Sequence, residues 1–197
     1  MSLNINLAPG LLLSMPQLSD PHFTRAVVLM LDHTDEGSFG LVLNHASTME
    51  VAELVGHIEV EWCGDPEAKV YSGGPVMPGS AWAVHSGCKL LPEASSNLDD
   101  AMNLTGNLRV NDGLFMSTSE ENIKILSESP PDRLRVLLGY SGWAGGQLAQ
   151  EMAQGSWLHA DINTDILFDA PPDQMWELCL RDLGIDPESI VQSHGVH

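Results

Sequence analysis

The sequence predicts an α+β fold in a single domain, on three observations. Apolar runs of strand length crowd the first two thirds of the chain, and helix-like segments gather toward its end. The two kinds do not alternate as they would around a doubly wound parallel sheet. At 197 residues, 43% hydrophobic and 18% charged, the chain can bury one sizeable core, and no linker, internal repeat or low-complexity tract marks a second domain.

Taken in order, Leu11–Ser14 is a short apolar run before Pro16 and predicts a first strand. Pro9, Gly10 and Pro16 interrupt this segment and no basic leader precedes it, which is not the pattern of a signal peptide or membrane span. Arg25–His33 and Phe39–Asn44 flank the turn Thr34-Asp-Glu-Gly37 and predict a hairpin of central strands, because their apolar runs are nearly unbroken. Thr48 is placed to cap a helix with Val51, Leu54 and Val55 on one face, ending near Gly56. Lys69–Ser72 and Ala81–His85 predict a second hairpin around Gly73–Gly79, and the polar stretch Lys89–Asn107 a long loop. Leu108–Val110 and Leu114–Ser117 read as strands joined by Asp112-Gly113.

Thr118-Ser-Glu-Glu121 is a capping box opening a helix with Ile123, Ile125 and Leu126 inward, stopped by Pro130 and Pro131. Arg133–Leu138 then predicts a strand, Gly139–Gly146 a glycine loop and Gln147–Ala153 a short helix. Trp157–Ala160 and Ile166–Phe168 read as short strands. Pro172–Leu183 reads as a helix with Met175, Trp176, Leu178, Cys179 and Leu183 near one side, ended by Gly184. Asp186-Pro187-Glu188 starts a final turn.

Eight basic residues against 27 acidic ones give a net charge of −19. The basic residues are scattered, which counts against a phosphate-tracking surface and so against direct nucleic-acid binding. Residues 131–160 are the neutral exception, with two basic and two acidic side chains. Cys63, Cys88 and Cys179 are odd in number and widely spaced, which fits a reducing, cytoplasmic compartment and buried thiols better than a disulfide framework. His85-x-x-Cys88 alone has a ligand-like spacing, and a zinc site needs a second pair, so no metal and no cofactor are expected.

Two chemistries are worth weighing. The Gly139–Gly146 loop before a helix offers backbone N–H groups to an anion, with Arg25 as a guanidinium fork, although Arg25 has Asp20 or Asp32 as alternative partners. Gly139-Tyr-Ser141-Gly resembles the start of a nucleophile elbow, but Trp143 stands where the elbow needs glycine. His159, His194 and His197 follow it without a context that marks a base. His33 and His45, at the ends of the two central strands, offer a pocket for acid–base chemistry together with His85.

In their order, Asp20-Pro-His-Phe23-Thr-Arg25-Ala-Val-Val28, His33, Gly40, Asn44, Gly73-Gly-Pro75, His85, Leu138-Gly-Tyr140, Trp143, Gly146-Gln-Leu148, Glu151, Trp157, Leu167-Phe168 and Trp176 resemble the YqgE/AlgH family nearly end to end. The resemblance implies an α+β domain with a mixed, bifurcated sheet curled into a pseudo-barrel with flanking helices. It also implies bacterial cytoplasmic proteins without an established enzymatic activity, one branch being tied to regulation of alginate synthesis. The chain departs from the pattern at Asn44-His45-Ala46, where family members have Asn, a basic residue and Pro. Residues of the shared pattern supply the candidate ligand surface: Arg25, His33, Asn44, His85, Tyr140 and Trp143, with Ser141 and Gly142 between the last two. The expectation is a non-enzymatic binding or regulatory protein acting on a protein partner or a small anionic ligand, not on nucleic acid or a membrane. The alternative is a small-molecule hydrolase or other enzyme using Ser141 or a pocket of His33, His45 and His85.

Overall fold

A computed structural model of the chain describes residues 6–192. Among these, ten strands and seven helices form. They pack as two compact units, one made of the residues up to His45 and from Ser141 onward, the other of Ala46–Tyr140. The α+β class is observed, with a mixed, forked sheet and flanking helices.

In the first unit, strands β1 (Gly10–Ser14), β2 (Val27–His33), β3 (Gly37–Val42) and β10 (Trp157–Ala160) are antiparallel in the order β10-β1-β2-β3. All of β1 and Val27–Leu31 of β2 are buried, so both faces of these strands are covered and their sequences run apolar without alternation. Strand β9 (Leu134–Ala144) joins β3 through Ser141–Ala144. Leu12, Val28, Met30, Val42, Trp143 and Trp157 form one core with Leu148 of helix α4 (Gln147–Ala153). Helix α6 (Met175–Asp182) packs on β1 and buries Met175, Trp176, Cys179 and Leu180, with Met175 and Leu180 each contributing about 1.5–3 kcal/mol. Its end is set by Gly184 at φ +74°, whose N–H meets the Arg181 carbonyl while that of Ile185 meets Leu180.

In the second unit, β5 (Lys69–Ser72) lies parallel to β9, and β6 (Val76–His85) lies antiparallel on its other edge. Strand β4 (Ala46–Glu50) pairs with β5, β8 (Leu114–Ser117) with β6, and β7 (Asn107–Asn111) with β8. Helices α1 (Val51–Gly56) and α3 (Glu120–Glu128) close a core of Val51, Val55, Val70, Ala83, Ile123, Leu126 and Val136.

Several local expectations are corrected. Strands β5 and β6 do not pair as a hairpin, because β9 is hydrogen-bonded between them. Gly139 of β9 takes φ +72°, and a Cβ there would stand 2.4 Å from the Gly74 carbonyl oxygen, so the glycine permits a close crossing rather than a loop. Thr48 lies in β4 and caps nothing, since backbone pairing with β5 claims that segment. Helix α3 is capped by Ser119, one residue after Thr118, with Asn122 N–H donating to its hydroxyl at 3.1 Å. Part of the expected long loop is helical: α2 (Leu98–Asp100) runs into a π-helical turn, Ala101–Thr105. Residues 166–168 are not a strand but lie in α5 (Thr164–Asp169), whose cap Asn163 accepts from Ile166 N–H. The final turn is α7 (Pro187–Gln192).

Candidate functional site

The chain enters β2 through a constrained turn. Asp20 caps a 3-10 turn, Pro21–Phe23, accepting from His22 N–H at 2.9 Å. Arg25 then takes φ +48°. For a residue with a Cβ this left-handed conformation costs on the order of 1–2 kcal/mol and persists only where its surroundings impose it. Asn44, buried just beyond β3, imposes it: its Nδ2 donates to the Arg25 carbonyl and its Oδ1 accepts from Val27 N–H, both at 2.8 Å. His45 Nε2 donates to the Thr24 carbonyl at 2.9 Å. Burial holds the His45 pKa below the ordinary histidine value, outweighing the upward pull of that carbonyl.

Arg25 so placed borders a cleft of about 250 Å³ that Ser14, Met15, Pro16, Leu18, Thr24 and Trp176 also line. The guanidinium lies 5.5 Å from the centre of the Trp176 ring. Trp176 is fixed by donation from its Nε1 to the Ser14 carbonyl at 2.9 Å. The Arg25 side chain is 53% exposed, and its Nη1 is 3.4 Å from Oε1 of Glu177, whose other oxygen is 3.5 Å from Arg181 Nη2. Arg25 therefore pairs with neither Asp20 nor Asp32. Asp20 is engaged by His22, and Asp32 sits at the turn end of β2.

The other candidates in this unit are elsewhere. His33 closes β2 beside the hairpin turn, with Nδ1 2.7 Å from the Ser38 hydroxyl. The antiparallel register puts it at the opposite end of the hairpin from Arg25, Asn44 and His45, about 25 Å along an extended strand. The expected meeting of His33 with His45 is thus not formed. Ser141 and Gly142 are not in a loop: they pair with Gly40 and Phe39 in the β9–β3 ladder, and Ser141 is 0% exposed. The strand-to-helix elbow that a serine nucleophile needs is not made around it. The true turn before α4 is Gly145-Gly146, against the Asp35 carbonyl at the far end from Arg25, so the composite anion nest is not built either.

Trp143 is buried in an aromatic cluster. Phe23 stacks on it at 5.9 Å, and Trp157 lies edge-on at 5.8 Å and 79°. Both indole N–H groups donate to Oε2 of Glu151, at 3.0 Å from Trp143 and 2.7 Å from Trp157.

In the second unit, Tyr140 packs edge-on against Trp82 at 5.9 Å. His85 is 0% exposed, stacked on Phe115 at 5.8 Å. Gly87 N–H donates to its Nδ1 at 3.1 Å, so Nε2 carries the proton and donates to Ser117 Oγ at 3.0 Å. Ser117 in turn donates to Asn107 Oδ1 at 3.0 Å, and Asn107 Nδ2 to the Pro92 carbonyl at 2.9 Å. Burial pushes the His85 pKa down to about 4. Both ring nitrogens are thus engaged within the protein, and the buried imidazole has no access to solvent.

Cys88 points its sulfur toward the Ser129 carbonyl, and among the described residues no group of three metal-ligating side chains converges. Nor, among them, is any helix long and apolar enough to cross a membrane. His194 and His197 lie outside the described residues. The neutral stretch 131–160 runs through β9, α4 and β10, and Arg135 of β9 is buried over the Tyr71 ring at 4.5 Å. Sequence reasoning found Arg25 but missed Trp176 and Glu177 as its neighbours. The usable signal was Trp176 within the shared pattern, on a helix that otherwise reads as core.

The AlgH-like family profile matches residues 11–188. A UPF0301 protein of Myxococcus xanthus is 38% identical over 193 residues, covering 98% of this chain and 99% of its own length. Another, from Magnetococcus marinus, is 34% identical with 96% of each covered. The solution structure of the AlgH protein from Pseudomonas aeruginosa aligns with a TM-score of 0.72 at 27% identity, over 100% of this chain and 98% of that one. A crystal structure from Corynebacterium diphtheriae aligns at 0.68 with 26% identity, over 92% and 90%.

Proposed function

The chain belongs to the AlgH-like family, and on that premise we propose that it is a non-enzymatic cytoplasmic binding protein. Its Arg25 cleft takes a small anionic ligand, and it regulates through a protein partner rather than by touching DNA. One observation carries this reading: Asn44 holds Arg25 at φ +48° so that its guanidinium stands half-exposed over a cleft floored by Trp176. Backbone strain of this kind is retained where a side chain must be aimed, and a guanidinium is suited to paired hydrogen bonds with a planar or tetrahedral anion. The net charge of −19 favours a small ligand, because a polyanion would meet repulsion over its whole length.

The test is a thermal-shift screen of carboxylates, inorganic phosphate and nucleotides on wild type and Arg25→Gln. A bound anion at a hundred times its Kd stabilises by about 2.7 kcal/mol, a readily measured rise in Tm that the variant loses. No shift with any anion, or equal shifts in both proteins, sinks the reading.

A further inference from the structure

Resting on the Arg25 reading, we propose that the ligand presents a carboxylate and binds by displacing Glu177, which pairs with the cleft's guanidinium. Glu177 follows Trp176 on α6, so the residue that lines the cleft also positions the carboxylate at its edge. The fit is loose. The contacts to Arg25 and Arg181 are 3.4 and 3.5 Å, well beyond the 2.7–2.9 Å of a strong charge-assisted bond. Glu177 meets Arg25 through one nitrogen only, whereas a free carboxylate can engage two guanidinium nitrogens in plane.

Both groups are substantially exposed, at 53% and 34%, and such pairs are weak, so the occupant is easily exchanged. The charge count also selects the ligand. The displaced Glu177 stays on α6 in either case, so a monoanion adds one negative charge beside Arg25 and Arg181 while a phosphate dianion adds two. Glu177 is then an internal competitor, and the apparent affinity is reduced by the fraction of molecules in which it holds Arg25.

The experiment titrates benzoate, benzamide and inorganic phosphate into wild type, Glu177→Gln, Glu177→Ala and Arg25→Gln, following the Trp176 indole N–H resonance by NMR. Benzoate is expected to bind wild type, to bind both Glu177 variants tighter by up to about fivefold, and to lose binding in Arg25→Gln. Benzamide should not bind, and phosphate should bind more weakly than benzoate. Equal benzoate affinity in wild type and both Glu177 variants overturns the competitor and leaves the Arg25 cleft standing, as does a preference for phosphate. Absence of Arg25-dependent binding by any of these anions overturns both.

Discussion

Arg25, in the turn that enters β2, and His85, the last residue of β6, both carry side chains able to hold a positive charge, yet the two units use them in opposite ways. In the first unit the protein grips the backbone of Arg25, through Asn44, and leaves the side chain half-exposed with one long ion pair. In the second it grips the side chain of His85, at both ring nitrogens, and buries it completely. The lesson is that availability, not residue type, separates a binding group from a structural one. A ligand can outbid a 3.4 Å exposed contact; it cannot reach an imidazole whose bonds continue to Ser117, Asn107 and Pro92.

The largest effect that sharpens this contrast is acid sensitivity. With a folded pKa of about 4 against an ordinary 6.5, His85 stays neutral in the folded protein while the unfolded chain takes up a proton as pH falls below 6.5. Stability therefore declines between pH 6.5 and 4 and this contribution levels off below, the total being about 3 kcal/mol. Urea denaturation across that range should show the slope, and His85→Gln should lose that part of it. An unchanged slope in the variant breaks the assignment of His85 as a neutral buried group.

Next in size is Ser117→Ala, which leaves the His85 Nε2–H and Asn107 Oδ1 without their partner and should cost about 2–3 kcal/mol. The anion response at Arg25 should be untouched, and a change there would break the separation of the two sites. Asn44→Ala should cost about 2 kcal/mol, since Val27 N–H loses its buried acceptor, and it should also weaken anion binding by freeing the Arg25 backbone. Arg25→Gly sits at the small end: relief of the positive φ roughly offsets glycine's entropy, for a net change within about 1 kcal/mol. Thermal denaturation should barely register it, although the anion response disappears.

Legibility followed the range of the determining contact. The β2–β3 hairpin was readable because its turn and both apolar runs lie within twenty consecutive residues. The supposed β5–β6 hairpin misled because the strand between them, β9, arrives some 60 residues later. Strand β4 was missed since four of its five residues are exposed, leaving no alternation to detect. Gly139 reads in sequence as loop punctuation, and only the Gly74 carbonyl beneath it reveals a strand crossing. For the site, Arg25 stands out as the sole basic residue among the first 60. Glu177 is 152 positions away, and nothing local marks it as a partner.

The shared carboxylate of Glu151 has an optical consequence. By holding the Trp143 and Trp157 indoles 5.8 Å apart and crossed at 79°, it places two strong transition dipoles where they must mix. The first unit should then carry an exciton couplet in its circular dichroism without any added label. Phe23, in contact with both rings, is two residues before Arg25. The protein thus has a native chromophore pair wired to the turn that aims its guanidinium, and Glu151→Gln would test whether the couplet depends on that acceptor.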